Sequence, residues 1–229
     1  TGGVVSGDLA VAGDSKSATL TGHVIGTGVM HLTSTLAATD SGVITVTAGT
    51  ATKILVETLA NGSGTVVGAQ SIAAGSSVTG YSITRDAWDN FVANTAPTSW
   101  SITGNTGGVV SGDLAVAGDS KSAVFTGHVI GTGVIHPTSA LTTTDSGVIT
   151  VTVGTATKIL VETLANGSGT VVGAQSIAAG SSVTGYSITR DAWNNFVANA
   201  APSTGWSLTP VTGGVVSGDL AVAGDSKSA

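Results

Sequence analysis

The sequence contains no cysteine and is poor in aromatic and charged residues. Without cysteine, disulfide bonds and thiolate metal sites are excluded. Charged residues make up 9% of the chain and its net charge is −6, so no basic patch is present that could neutralise a nucleic-acid backbone. No apolar run approaches the roughly 20 residues that a membrane-spanning helix needs.

Small and β-branched residues dominate the remainder. The chain has 34 glycines, and 41% of its residues are hydrophobic. Disordered linkers combine high charge with few β-branched residues, and this chain shows the opposite combination. Its Val, Ile and Thr content predicts an all-β protein with many turns.

An internal repeat is the strongest feature of the sequence. Residues 1–18 recur without change at 106–123 and 212–229, so the sequence periods are 1–105, 106–211 and 212–229. Solenoid repeats are ~20–50 residues long, whereas each full period here is long enough to form a domain. We therefore expect a window on a longer array, whose function lies in repetition.

Alternating apolar and polar residues predict the strands. They are predicted at residues 8–12, 17–24, 27–33, 43–47, 53–58, 64–70, 81–84 and 100–102. The second copy has Phe125 in place of Leu20, which predicts an inward-facing position. It has Pro137 in place of Leu32, which predicts the edge or end of a strand because proline lacks a backbone donor.

Two segments are predicted to be hairpins. In residues 86–94, Trp88 and Phe91 are three positions apart, as on one face of a short helix. The Asp and Asn residues of this segment favour a turn, so we predict a strand, a turn and a return strand. The change of Ala37-Ala38 to Thr142-Thr143 predicts a second, exposed hairpin.

The segment Tyr81-Ser-Ile-Thr-Arg-Asp-Ala-Trp-Asp-Asn-Phe-Val-Ala-Asn94 resembles the signature hairpin of bacterial immunoglobulin-like repeats of the invasin/intimin type. Trp100-Ser-Ile-Thr103 resembles the strand that follows, and residues 121–126, 131–136 and 146–152 are similar to later strands of that family. The resemblance implies tandem immunoglobulin-like β-sandwich domains. Residues 1–47 would then be the C-terminal part of one repeat, 48–152 a complete repeat and 153–229 the N-terminal part of another.

An unfinished sandwich exposes an apolar face and unpaired strand edges. We therefore expect both incomplete parts to be completed by neighbours. Residues 19–47 of one copy would supply the strands that 153–229 of the next copy lacks, through head-to-tail assembly or because the chain continues.

Acidic residues at the predicted turns are candidates for calcium, since hard cations prefer oxygen ligands. These residues are Asp86, Asp89 and Asp191, for which turn capping is the ordinary alternative. The histidines are expected at surface or half-buried strand positions: His23, His31, His128 and His136. No paired acid and base groups are evident, so we predict no enzyme and no cofactor apart from calcium.

The four tryptophans form two pairs. Trp100 and Trp206 are expected in the core between the sheets. The other pair lies at the hairpin tips, where aromatic residues could form a small core, contact the adjoining domain or stack on a sugar. The predicted interaction residues are Trp88, Phe91, Trp193 and Phe196.

Together these features predict a structural repeat of a bacterial extracellular or cell-surface fibre, stalk or sheath protein. Its partners would be other copies or neighbouring repeats, joined head to tail or by strand completion. The alternative is an adhesive or carbohydrate-binding module that uses the Trp88 and Trp193 tips on a glycan or host surface. A third possibility is an immunoglobulin-like decoration of a phage particle.

Overall fold

The computed structural model describes residues 3–229 and is built mainly of β-strands. This confirms the all-β prediction. Within the described residues, the helices are 3₁₀ turns at Ser6–Asp8, Ser111–Asp113 and Ser217–Asp219, and none is long and apolar enough to cross a membrane. The strands are β1 Leu9–Val11, β2 Ala18–Leu20, β3 Gly26–Gly28, β4 Ile44–Val46, β5 Lys53–Glu57, β6 Gln70–Ala73, β7 Ser77–Arg85, β8 Phe91–Asn94, β9 Ser99–Gly107, β10 Leu114–Val116, β11 Ser122–Thr126, β12 Gly131–Thr138, β13 Thr142–Thr144, β14 Ile149–Thr152, β15 Ala156–Glu162, β16 Tyr186–Asp191 and β17 Phe196–Asn199.

Strands β5 to β14 form two sheets, and we call residues 53–152 the central unit. One sheet has the order β10-β11-β7-β5-β13, with β8 also paired to β7, and the other has the order β6-β14-β12-β9. Side chains from both sheets meet in a single core, because alternate residues of each strand point inward. Its most buried members include Val56, Phe125, Ile135, Ile149 and Val151, all at most 1% exposed.

Several sequence predictions hold in the central unit. Phe125 points into the core, as the Leu20 to Phe125 change predicted. Residues 86–90 form a turn between the antiparallel strands β7 and β8, so the hairpin prediction is confirmed. Pro137 lies next to the end of β12, where β12 pairs with β9 alone because β14 reaches only Gly131–Gly133. The absence of a backbone N–H at Pro137 therefore breaks no hydrogen bond to a second neighbouring strand.

Two strand predictions were wrong. Of residues 64–70, only Gln70 belongs to a strand, and Val66 forms an isolated bridge with Glu57 before the chain crosses to the other sheet. Residues 142–144 form β13, which pairs in parallel with β5, and not an exposed hairpin. Alternation indicates that a segment is extended, but parallel pairing depends on a strand far away in sequence.

Identical sequences take different structures in different parts of the chain. Residues 77–85 form one nine-residue strand, whereas the identical residues 182–190 are in a strand only from Tyr186 onward. In the central unit the first part of β7 pairs with β11. Within the described residues, the corresponding pairing of β16 is an isolated bridge from Tyr186 to Ser228. Strand formation here depends on the partner.

Candidate interaction site at the hairpin tips

Residues 86–90 and 191–195, called the tips, are organised by a buried aspartate. Asp86 is 3% exposed, and one carboxylate oxygen accepts the backbone N–H groups of Trp88 and Asn90, both at 2.9 Å. The other oxygen accepts the Asn90 amide and the Gly49 N–H, also at 2.9 Å. Burial alone would raise the pKa of Asp86, but these hydrogen bonds outweigh it and lower the pKa to about 2. Asp191 repeats the contacts, and its pKa is lowered in the same way.

An ion pair connects each tip to a second turn. Arg85 binds the carboxylate of Glu57 through two contacts, Nε–Oε1 at 2.6 Å and Nη2–Oε2 at 2.9 Å, and Glu57 is 1% exposed. Arg85 also donates to the carbonyl oxygen of Gly62 at 2.8 Å. Arg190 and Glu162 repeat the pair. The bidentate geometry fixes the orientation of both turns.

The predicted aromatic residues divide between two roles. Phe91 packs inside its own unit, because a Cβ atom placed on Gly62 would lie 2.1 Å from its ring. Phe196 packs in the same way on Gly167. Trp88 faces the other way and lies against His23 of the preceding segment, with ring centroids 4.1 Å apart.

An asparagine clamps each tip to the preceding segment. Asn90 is 7% exposed, its Oδ1 accepts the Ile25 N–H at 3.0 Å, and its Nδ2 donates to the His23 carbonyl oxygen at 2.7 Å. We call these contacts, together with the Trp–His contact, a junction. The second junction has the same contacts: Asn195 to Ile130 and His128, and Trp193 to His128 with ring centroids 4.2 Å apart.

Each junction histidine is held from its other side by an aspartate. The Nδ1 atom of His23 lies 2.7 Å from Asp8 Oδ1, and His128 lies 2.6 Å from Asp113. The Val5 backbone N–H and the His23 ring both lower the pKa of Asp8. These aspartate partners were not predicted from the sequence. The equal spacing of Asp and His in both copies was the available signal.

The other two histidines lie away from the junctions. His31 lies 2.5 Å from Asp40, and His136 lies 2.7 Å from Asp145. All four histidines are thus paired with an aspartate, at surface or half-buried positions.

The candidate calcium residues are engaged by nitrogen donors. Asp89 has a left-handed backbone, with φ of 67°, and pairs with Lys53 Nζ at 2.6 Å. Asn194 takes the same conformation and accepts from Lys158 at 2.7 Å, which explains why either residue fits this position. Over residues 3–229, no three His, Asp or Glu side chains converge as metal ligands would. Calcium binding stays a prediction.

Neither family models, nor curated proteins, nor solved structures yield a match to this chain. The resemblance to invasin/intimin-type repeats and the domain boundaries at residues 48 and 152 therefore stay predictions.

Proposed function

We propose that this chain is a structural repeat of a bacterial extracellular or cell-surface fibre, stalk or sheath protein, built from tandem immunoglobulin-like β-sandwich domains. The duplicated junction carries the proposal. In both copies the clamping asparagine bonds residues 65 and 67 positions earlier, with distances that agree within 0.2 Å. A contact that recurs with one geometry can propagate along an array.

The chemistry of the junction suits a mechanical connection. The asparagine is buried and its hydrogen bonds are directional, so they fix how one unit is turned relative to the next. The Trp–His contact adds apolar area beside them. Repeating one head-to-tail contact produces an open filament when its rotation does not close into a ring. The length and stiffness of such a filament require no catalytic residue.

Small-angle X-ray scattering of the whole chain tests this role. Replacing Trp88 and Trp193 by alanine removes the ring contact of both junctions, and we expect a broader distribution of maximum dimension with an unchanged circular dichroism spectrum. The matched control carries phenylalanine at both positions, which keeps an aromatic ring against the histidines. A scattering curve that the alanine changes leave unaltered would contradict a junction role, and loss of folding would place the indoles in a core.

The exposure of the indoles supports a second candidate function. Trp88 is 57% exposed and Trp193 is 44% exposed, although each lies against a histidine. An exposed aromatic face can stack on a sugar ring, so an adhesive or carbohydrate-binding role is the alternative. Binding to a glycan array that disappears in the same double alanine variant would favour it over the structural role.

A further inference from the structure

Two of the chain's asparagines stand in an Asn-X-Ser sequence, and the fold places both in the same kind of exposed loop. The two sequences are Asn61-Gly-Ser63 and Asn166-Gly-Ser168. Asn-X-Ser and Asn-X-Thr, with X other than proline, are the acceptor sequences for N-linked glycans. None of the other asparagines has serine or threonine two positions later. An acceptor sequence can be used only where the folded chain exposes it, so the shape of these loops decides its meaning.

We call residues 58–65 and 163–170 the acceptor loops. A backbone hydrogen bond closes each of them, from Thr58 N–H to the Thr65 carbonyl oxygen and from Thr163 N–H to the Thr170 carbonyl oxygen, both at 2.9 Å. The two loops keep this geometry although the strands β7 and β16 beside them differ in length and pairing. The shape of an acceptor loop is therefore set by the loop's own residues.

The middle glycine of each acceptor sequence faces the protein. Gly62 has a left-handed backbone, with φ of 75°, and a Cβ atom placed on it would lie 2.1 Å from the Phe91 ring. Arg85 holds its carbonyl oxygen at 2.8 Å. The residues on either side, Asn61 and Ser63, are both exposed. The second loop repeats these contacts, so each loop holds its glycine against the protein and presents the asparagine and the serine to solvent.

The serine binds the asparagine amide through its oxygen. Asn61 Oδ1 accepts the Ser63 hydroxyl at 2.7 Å and the Ser63 backbone N–H at 3.1 Å. The corresponding distances for Asn166 and Ser168 are 2.7 Å and 3.0 Å. An amide side chain also carries an NH₂ group with two donors, and among residues 3–229 nothing accepts from that of Asn61. The loop thus fixes the amide by its oxygen and leaves its nitrogen, Nδ2, free to react.

We propose that Asn61 and Asn166 are attachment sites for N-linked glycans, with a lipid-diphosphate-linked oligosaccharide as the donor and an oligosaccharyltransferase as the enzyme. In the transfer, Nδ2 forms a bond to the anomeric carbon of the first sugar. The bond from that carbon to the lipid diphosphate breaks, and its electron pair leaves on the diphosphate. One Nδ2 proton passes to a carboxylate of the transferase, and the other stays on the new glycosidic amide.

Each glycan would stand beside a tip without entering the junction. Arg85 donates to the carbonyl oxygens of Gly62 and Asp89, so it connects the acceptor loop directly to the tip. The junction contacts of Trp88 and Asn90 go to the preceding segment and involve no residue of the acceptor loop. A tandem array would carry one glycan in each sequence period. N-linked glycans belong to secreted proteins, which agrees with an extracellular location, but the proposal does not need the fibre role.

Glycosylation of the purified, folded chain tests the proposal. The chain is incubated with an oligosaccharyltransferase specific for Asn-X-Ser/Thr and a lipid-linked oligosaccharide, and the products are mapped by peptide mass spectrometry. We expect two glycans per chain, at Asn61 and Asn166. Ser63→Ala with Ser168→Ala should carry none, whereas Ser63→Thr with Ser168→Thr should keep both because threonine supplies the same hydroxyl. Circular dichroism shows that each variant is folded.

The matched control places an acceptor sequence where the fold hides it. Val92→Thr creates Asn-X-Thr at Asn90, which is 7% exposed and whose Nδ2 is bound to the His23 carbonyl oxygen and the Asp86 carboxylate. Asn90 should stay unmodified in the folded variant and accept a glycan once the chain is unfolded in urea and diluted. A synthetic peptide of residues 58–66 shows that the enzyme is active.

Modification of both loops in the folded chain, lost in the alanine variant and absent at Asn90, supports the proposal. Modification of Asn61 and Asn166 only after unfolding would overturn it, because the loops would then not present their amides. A folded chain without glycan beside a modified peptide would overturn it as well. None of these outcomes bears on the fibre role, which the scattering of the tryptophan variants decides separately.

Discussion

Replacing Asn195 by alanine is expected to release the second junction and leave the first intact. Asn195 is 6% exposed, and its amide joins three groups: the Ile130 N–H at 3.1 Å, the His128 carbonyl oxygen at 2.9 Å and the Asp191 carboxylate at 2.8 Å. Alanine leaves all three without that partner. The first two belong to the preceding unit, so their loss weakens the contact between units.

The size of the effect follows from these bonds. A neutral hydrogen bond contributes about 1 kcal/mol net, so the two that cross the junction contribute about 2 kcal/mol. The bond to the carboxylate adds a further ~2 kcal/mol of local stability. A 2 kcal/mol loss at the junction corresponds to a roughly 30-fold faster opening of the Ile130 amide to exchange.

Hydrogen exchange followed by NMR measures this directly. The Ile130 amide should lose protection by that factor, while the Ile25 amide keeps its own because Asn90 still holds it. The two junctions thus provide an internal control within one molecule. Equal protection of Ile130 in the variant and the parent chain would refute the clamp, and a matching loss at Ile25 would show general destabilisation instead.

Two further predictions concern the groups beneath the tips. The pKa of Asp86 is about 2 in the folded chain against an ordinary 3.8, so its stabilising effect is complete above pH ~4 and is lost as the pH falls through about 2. Tryptophan fluorescence should report this step. Because the pKa of Asp191 is lowered in the same way, the step should disappear only when Asp86→Asn is combined with Asp191→Asn. Glu57→Gln leaves the Arg85 guanidinium, 15% exposed, without its charged partner, so it should lower the free energy of unfolding in urea by ~3 kcal/mol. The control is Asp89→Asn, which introduces the residue found in the second copy and should change the free energy of unfolding by under ~0.5 kcal/mol. A urea midpoint for Glu57→Gln equal to that of the parent chain would contradict the second.

Features that local hydrogen bonds hold were predicted from the sequence, and features that depend on contacts distant in sequence were not. The turn at residues 86–90 was predicted from its Asp and Asn residues, because three of the four hydrogen bonds to the Asp86 carboxylate come from residues within four positions, and the fourth comes from Gly49. For Trp88 the sequence left three alternatives open: a small core, a contact with the adjoining domain or stacking on a sugar. Its contact with His23 spans 65 positions, and nothing local in the sequence selects that histidine. The parallel partner of β13 was missed for the same reason.

The repeated 18-residue sequence separates what the chain determines locally from what tertiary structure decides. In all three copies Ser-Gly-Asp forms a 3₁₀ turn, and the aspartate accepts the backbone N–H three residues earlier: Val5, Val110 and Val216. These bonds close within one turn, so the sequence by itself determines them. The residues that follow differ: Leu114–Val116 pairs with β11 in a wide sheet, Leu9–Val11 forms only a two-stranded one, and the third copy is in no strand. A strand forms its hydrogen bonds with neighbouring strands and buries its apolar face against other elements, and only the tertiary structure decides which neighbours those are.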